Sequence, residues 1–435
     1  DELGRTNNKQ KQITVDNLPF IEVHEPTEYS FANPKLPLDI SCFDATGACL
    51  ITVKIKETIL SSAVNNINEI IDLSDFIGEE VTLVIEGESN TNQITTKQVN
   101  VYVNDEDVNM IHVKTLSDEI IDFDGERALT YGDVPLLGKQ VKIANIINNT
   151  VEILDTPTEH PVNYDTSFLT ATGAVFQIKW GETFDWNNNE QFSLGKTDPV
   201  RSAGDYILFE NSTGLIQRKL STQADLVLDV ALQNSVVSAN GTVVGENNWS
   251  LLQYKDQELT RINMQPESST GTSEQPLIDG SLILYHETGD FGPRRIILHD
   301  GNDMIFAINP TYHLGITNRF YLTRGKDYQI NKGWIAYLDG VDSEANQLWT
   351  RDKQGNLLKR TSFPSGSSNS PYQMFIDNLA SSGELMLVHD GKRYLSKLNG
   401  DLLLVGDAER GKSYYINDMW FIVIENSIFK LDMSN

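Results

Sequence analysis

The sequence predicts an all-β protein in two parts, a β-sandwich over residues 13–105 and a β-propeller over residues 106–435, behind a polar tail of residues 1–12. Two observations predict it. No window sustains the i, i+3, i+4, i+7 apolar spacing of an amphipathic helix beyond a turn or two, whereas short runs that alternate apolar and polar residues recur along the chain. From Gly173 onward, a degenerate unit returns at intervals close to those of a four-stranded blade.

Length and charge bound the function. A chain of 435 residues is long enough for two or more domains. Its 34 Lys+Arg against 61 Asp+Glu give a net charge of −27, a field that repels phosphate backbones and anionic headgroups, so nucleic acid is excluded as a partner. No stretch approaches the roughly 18 to 20 apolar residues that span a bilayer, so no transmembrane segment is expected. There is no G-x-S-x-G, H-E-x-x-H or G-x-x-x-x-G-K-[ST] pattern, so no catalytic residue, cofactor or metal site is assigned.

The tail, from Asp1 to Gln12, is polar and has no initiator Met, as a mature end behind a removed signal peptide would be; a tether behind a lipid anchor would look the same. Both cysteines lie in Ser41-Cys42-Phe43-Asp44-Ala45-Thr46-Gly47-Ala48-Cys49, where a turn between two apolar runs brings the sulfurs together, so a Cys42–Cys49 disulfide is expected. Tail and disulfide together predict an extracellular, cell-surface or periplasmic protein.

In the first part, Ile51, Val53 and Ile55 alternate with Thr52, Lys54 and Lys56, and Val99, Val101 and Val103 alternate likewise, as half-buried antiparallel strands do. The run from Ile71-Asp72-Leu73-Ser74 through Gly78 to Val81-Thr82-Leu83-Val84-Ile85 resembles a pattern of secreted bacterial Ig-like β-sandwich modules. That resemblance implies an Ig-like domain. A boundary near residue 105 follows the acidic Asn104-Asp105-Glu106-Asp107, because all six Trp lie after it.

The clearest repeats begin at Gly204, Gly280, Gly333 and Gly383, weaker ones at Gly173 and Gly241, and a last one at Asp418. Starts 37, 39 and 50 residues apart bracket the roughly 40 to 50 of a propeller blade. The copy at Gly333 continues through Gln347-Leu348-Trp349 and the turn Asp352-Lys353-Gln354-Gly355-Asn356 to Leu357-Leu358-Lys359, and is similar to a blade of the TolB-type bacterial propellers. The resemblance implies the fold and carries no activity. Seven blades are expected, with eight as the alternative, and a long array of sandwiches is the competing architecture. Since the last copy supplies too few strands for a blade, its end, Asn426 to Asp432, should pair with a strand from residues 108–132.

Aligning the repeats generates a site. The sixth residue after each starting Gly is Lys179, Glu210, Asn247, His286, Asp339 and His389, with Glu425 from the last copy. Equivalent strand ends share one propeller face, so these side chains mark a candidate ligand-binding surface, and polar residues leaving a core for solvent would give the same pattern. Within it, His286, Asp339 and His389 come from consecutive clear copies, with Tyr285, Arg294 and Arg295 close to the first. Two imidazoles and a carboxylate can hold a divalent ion; a Tyr/His pair with Arg can abstract a proton beside a uronate. The oxygen-rich runs 185–190 and 300–303 read as β-turns, since neither has the spacing of a calcium loop.

The function these features predict is recognition or adhesion: a propeller that binds a protein or glycan partner, with the Ig-like domain as spacer or docking module. The alternatives are a carbohydrate-active enzyme (a polysaccharide lyase using the His/Tyr/Arg group) and a structural subunit of a surface assembly.

Overall fold

A computed structural model describes residues 18–26, 30–45, 47–105, 108–154, 161–178, 182–187, 190–197, 200–201, 204–248, 250–262, 272–288, 295–308, 324–339, 347–363, 374–407 and 411–432. Two compact units divide the chain, Asp1–Glu106 and Asp107–Asn435. Among the described residues the only helical turn is the 3₁₀ segment Ser74–Phe76.

The first unit builds two sheets from β1 (Phe20–Glu25), β2 (Ser30–Ala32), β3 (Lys35–Phe43), β4 (Cys49–Ile55), β5 (Thr58–Val64), β6 (Asn66–Asp72), β7 (Glu80–Ser89) and β8 (Ile94–Val103). Their orders are β1-β3-β6 and β2-β8-β7-β4-β5. Alternation decides what each sheet buries. Leu36, Leu38, Ile40 and Cys42 of β3 point inward and meet Ile51 and Val53 of β4, Leu83 and Ile85 of β7, and Val99 and Val101 of β8 in a single core. Pro37 sits on β3 beyond the last residue that β1 pairs, where an absent N–H costs little.

Cys42 and Cys49 are bonded and buried. Asn65, in the left-handed region at φ 69°, braces the bridge: its backbone N–H donates to Cys49 O at 2.7 Å, its side-chain oxygen accepts from Cys49 N at 2.9 Å, and its carbonyl accepts from Cys42 N at 2.8 Å. Gly87 leaves room for the sulfurs, since a Cβ there would lie 2.8 Å from Cys42 Sγ.

The second unit is a β-propeller. The described residues form eight four-stranded sheets, the larger of the two expected blade numbers. Blades 1 to 7 span 119–153, 162–195, 200–228, 233–261, 272–308, 328–359 and 374–407, each with strands a to d in chain order. Blade 8 takes a to c from Lys412–Ile416, Met419–Ile424 and Ser427–Asp432, and d from β9 (Asn109–Thr115). The sequence repeats number seven because the copy at Asp124-Gly125 hides in Arg127-Ala128-Leu129-Thr130-Tyr131, which lacks a clean apolar run; Gly125, at φ 101°, makes the a-to-b turn there.

The a strands of successive blades line the inner ring and touch one another at six of the eight junctions, those between blades 1 and 2 and from blade 3 round to blade 8. Between blades, apolar side chains make separate clusters: Phe176 and Leu129 between blades 1 and 2, Phe209 and Phe168 between 2 and 3, Leu284 and Tyr337 between 5 and 6, Leu338 and Leu387 between 6 and 7. The ring closes where expected. Ser427 to Asp432 pair antiparallel with Thr115 to Asn109, and Phe123 and Ala128 of blade 1 pack against Phe421 and Ile428 of blade 8.

Candidate functional site

The aligned residues fall at the ends of b strands, as Tyr206–Asn211, Leu282–Thr288, Trp334–Asp339 and Leu385–His389 show. Which gap each side chain enters depends on parity. In blade 5, Ile283 and Tyr285 face blade 4, whereas Leu284 faces blade 6, so His286 faces blade 6 as well. In blade 6, Ile335 and Tyr337 face blade 5, which turns Asp339 the same way. His286 and Asp339 therefore enter one gap from its two sides. His389 has the parity of Leu385 and Leu387, which face blade 6, and enters the next gap.

His286 is fully buried. Tyr328 OH, from strand a of blade 6, donates to Gln275 O at 2.5 Å, and its oxygen lies 3.3 Å from His286 Nδ1. His389 packs its ring 3.9 Å from that of Phe363, which Gln347 fixes by accepting its backbone N–H at 3.0 Å and donating to its carbonyl at 2.9 Å. Among the described residues no group of three or more His, Cys, Asp or Glu is placed to hold a metal.

Tyr285 points away from His286, as neighbours on a strand must, so the structure does not bring this Tyr/His pair together. Burial, and then the Glu287 carboxylate, push its phenol well above the ordinary range. Arg295 is exposed and engages Glu287 at 3.3 Å, on the Tyr285 side of the blade. Glu210 is exposed beside Lys196 and Thr197 of the blade 2–3 connection, and its backbone N–H donates to Thr197 Oγ1 at 2.9 Å. Arg294 and Lys179 lie outside the described residues.

A cavity missed in the sequence lies on the inner ring. It has a volume of about 490 Å³ and is lined from a strands of blades 1, 2, 7 and 8 by Asp122, Tyr164, Asp165, Asp377, Lys412 and Tyr414, among others. Lys412 starts its strand opposite Val423, just before Glu425, so the cavity begins on the face that carries the b-strand ends. A break in register between Asn163 and Phe168 bulges Tyr164 and Asp165 out of the ladder.

Two of its carboxylates serve the scaffold. Asp122 Oδ2 accepts the backbone N–H of Leu169 at 2.8 Å, joining blades 1 and 2. Asp377 Oδ2 accepts from Arg393 Nε at 3.0 Å and Ser413 Oγ at 2.7 Å, while Arg393, 2% exposed, also donates to Gly411 O. Tyr164 OH donates to Glu119 at 2.6 Å, and burial followed by that bond raises its pKa strongly, so it stays a neutral phenol. Asp165 and Lys412 are exposed at the wall.

No family model matches the sequence, and no curated protein matches it. Solved structures similar to the chain include an uncharacterized protein of Listeria monocytogenes (TM-score 0.39, 9% identity, 68% of this chain and 96% of that one). TolB of Acinetobacter baumannii is similar at TM-score 0.30 and 12% identity, over 73% of this chain and 80% of that one. The WD40 domain of SCAP from fission yeast is similar at TM-score 0.40 and 10% identity, over 75% and 94%.

Proposed function

We propose that this is an exported or cell-surface recognition protein, whose propeller binds a protein or glycan partner on the face bearing the b-strand ends, with an Ig-like N-terminal unit as spacer or docking module. The observation that carries the reading is the face itself: a closed ring holds different accessible side chains, Glu210, Asn247 and Asp339, near the b-strand ends of three blades, an asymmetric set on a fixed frame, while His286 and His389, expected on that face, are buried in the gaps between blades. The buried Cys42–Cys49 bond supports an oxidising compartment. No helix among the described residues is long and apolar enough to cross a membrane.

The test displays the full chain to a glycan array and to cell-surface protein extracts, alongside a Glu210→Ala/Asp339→Ala variant. Capture of one protein or glycan by the intact chain and its loss in the variant supports the reading. Capture that the variant retains in full moves the site elsewhere. Release of unsaturated uronates from an acidic polysaccharide would replace the reading with the lyase.

A further inference from the structure

We propose that the inner-ring cavity binds an ammonium or guanidinium group carried on an apolar stem. Three properties of the wall select it. Asp122, Asp165 and Asp377 face Lys412, and even with Asp377 neutralised by Arg393 the balance of formal charge is negative, in a chain of net charge −27. Low-dielectric walls focus such a field and concentrate cations. Tyr164 and Tyr414, both partly exposed, supply aromatic surface, which attracts a cation over a ring face and covers a methylene stem. Finally, the volume of about 490 Å³ falls within the range of small-ligand sites and exceeds what a single water fills.

Asp165 is the acceptor that the scaffold leaves to a ligand. Asp122 is tied to Leu169 and Asp377 to Arg393 and Ser413, whereas the hydrogen bond at Asp165 is from its backbone N–H to Asn163 Oδ1 at 3.3 Å, leaving the carboxylate oxygens outside it. The bulge at Asn163–Phe168 positions that carboxylate on the inner ring. Lys412, across the cavity on blade 8, repels a cationic ligand and sets an upper limit on its affinity. An anionic ligand would invert both roles, and a neutral polyol would use both side chains as partners. The inference stands apart from partner recognition, since the cavity can take an amine whether or not the outer face captures a partner.

Calorimetry on the full-length protein decides among them. The probes are a blocked Gly-Lys-Gly and a blocked Gly-Arg-Gly tripeptide, cadaverine and agmatine as free amines, a blocked Gly-Glu-Gly tripeptide as the anion, and methyl glucoside as the polyol. The basic probes should bind and the acidic tripeptide should not. Asp165→Asn should weaken the basic probes about tenfold, the scale of one charge-assisted hydrogen bond, and Lys412→Ala should tighten them severalfold. Tripeptides binding well ahead of free amines would assign the cavity to a protein side chain, and the reverse order to a small amine. Absence of basic-probe binding by the intact protein overturns the proposal. Weakening by Lys412→Ala, or binding of glucoside that both substitutions abolish, overturns it as well. If Asp165→Asn fails to fold, as shown by its thermal transition, the sign of the Lys412→Ala effect alone decides.

Discussion

The sandwich and the propeller are both antiparallel β-structures, yet they bury their apolar residues differently. In the sandwich every strand has one inward face, and all of those faces meet in one cluster around Ile40, Ile51 and Ile85. In the propeller the middle strands are buried on both faces: Gly173–Ile178 is buried throughout, and Met419–Ile424 nearly so. Each blade shares its core with two neighbours, so no blade is stable alone and the ring acts as a unit. The sandwich is held by its core and one covalent staple; the propeller is held by closure.

The largest effect should come from breaking closure. Deleting residues 418–435 removes two strands of blade 8 and leaves β9 unpaired. Since all six Trp lie in the propeller unit, their fluorescence during urea unfolding reports that unit alone. The cooperative transition should disappear; a truncated protein that unfolds like the intact one would show that the blades stand without the ring.

Next in size is Phe123→Ala at the seam. Phe123 is 1% exposed and meets Phe421 edge-on at 5.4 Å between ring centres, so the cavity should cost about 3–5 kcal/mol, read as a lowered urea midpoint. A cost below 1 kcal/mol would mean that the β9 pairing closes the ring without its core.

Cys42→Ser/Cys49→Ser sharpens the other half of the comparison. The closed loop is short, with a sequence separation of 7, and the unfolded-state entropy it removes is worth about 2 kcal/mol, confined to the sandwich transition in calorimetry. Two alkylatable thiols in the native protein would remove the bond and the argument for export with it.

The smallest effect is a pH dependence in blade 5. Burial holds His299 below its ordinary 6.5, with Asp300 and Asp303 opposing, and its Nδ1 accepts the Gly301 N–H at 2.9 Å. The folded state thus binds fewer protons than the unfolded one between the two pKa values. Stability is complete above about pH 6.5 and falls as the pH drops from there toward the folded value. His299→Gln should flatten the unfolding midpoint between pH 7 and 5.5; an unchanged slope would refute the assignment to this ring.

The difference between the units also explains why one was easier to read from sequence. Alternation at Ile51, Val53 and Ile55 translates directly into an inward face because the opposite face is wet. Along the b strands both neighbours are apolar, and alternation says nothing about which gap a side chain enters. Counting six residues from each Gly put His286, Asp339 and His389 at one level, yet His286 has the parity that turns toward the following blade, and Asp339 and His389 the parity that turns toward the preceding one. Hence His286 and Asp339 enter one gap from its two sides, and His389 lies in the next.

By itself the sequence determined the β class, the paired cysteines and the need for a strand near the start of the propeller to complete the last blade, because these depend on periodicity, local turns and a last copy with too few strands, all written within short windows. The tertiary structure decided which side chains share a space. Asp165 and Lys412 line one cavity from positions nearly 250 residues apart in the chain. Only ring closure, the additional blade built on Arg127–Val134, blade 1, and the bulge at Asn163–Phe168 bring them together, and each is a long-range or backbone event that no local pattern records.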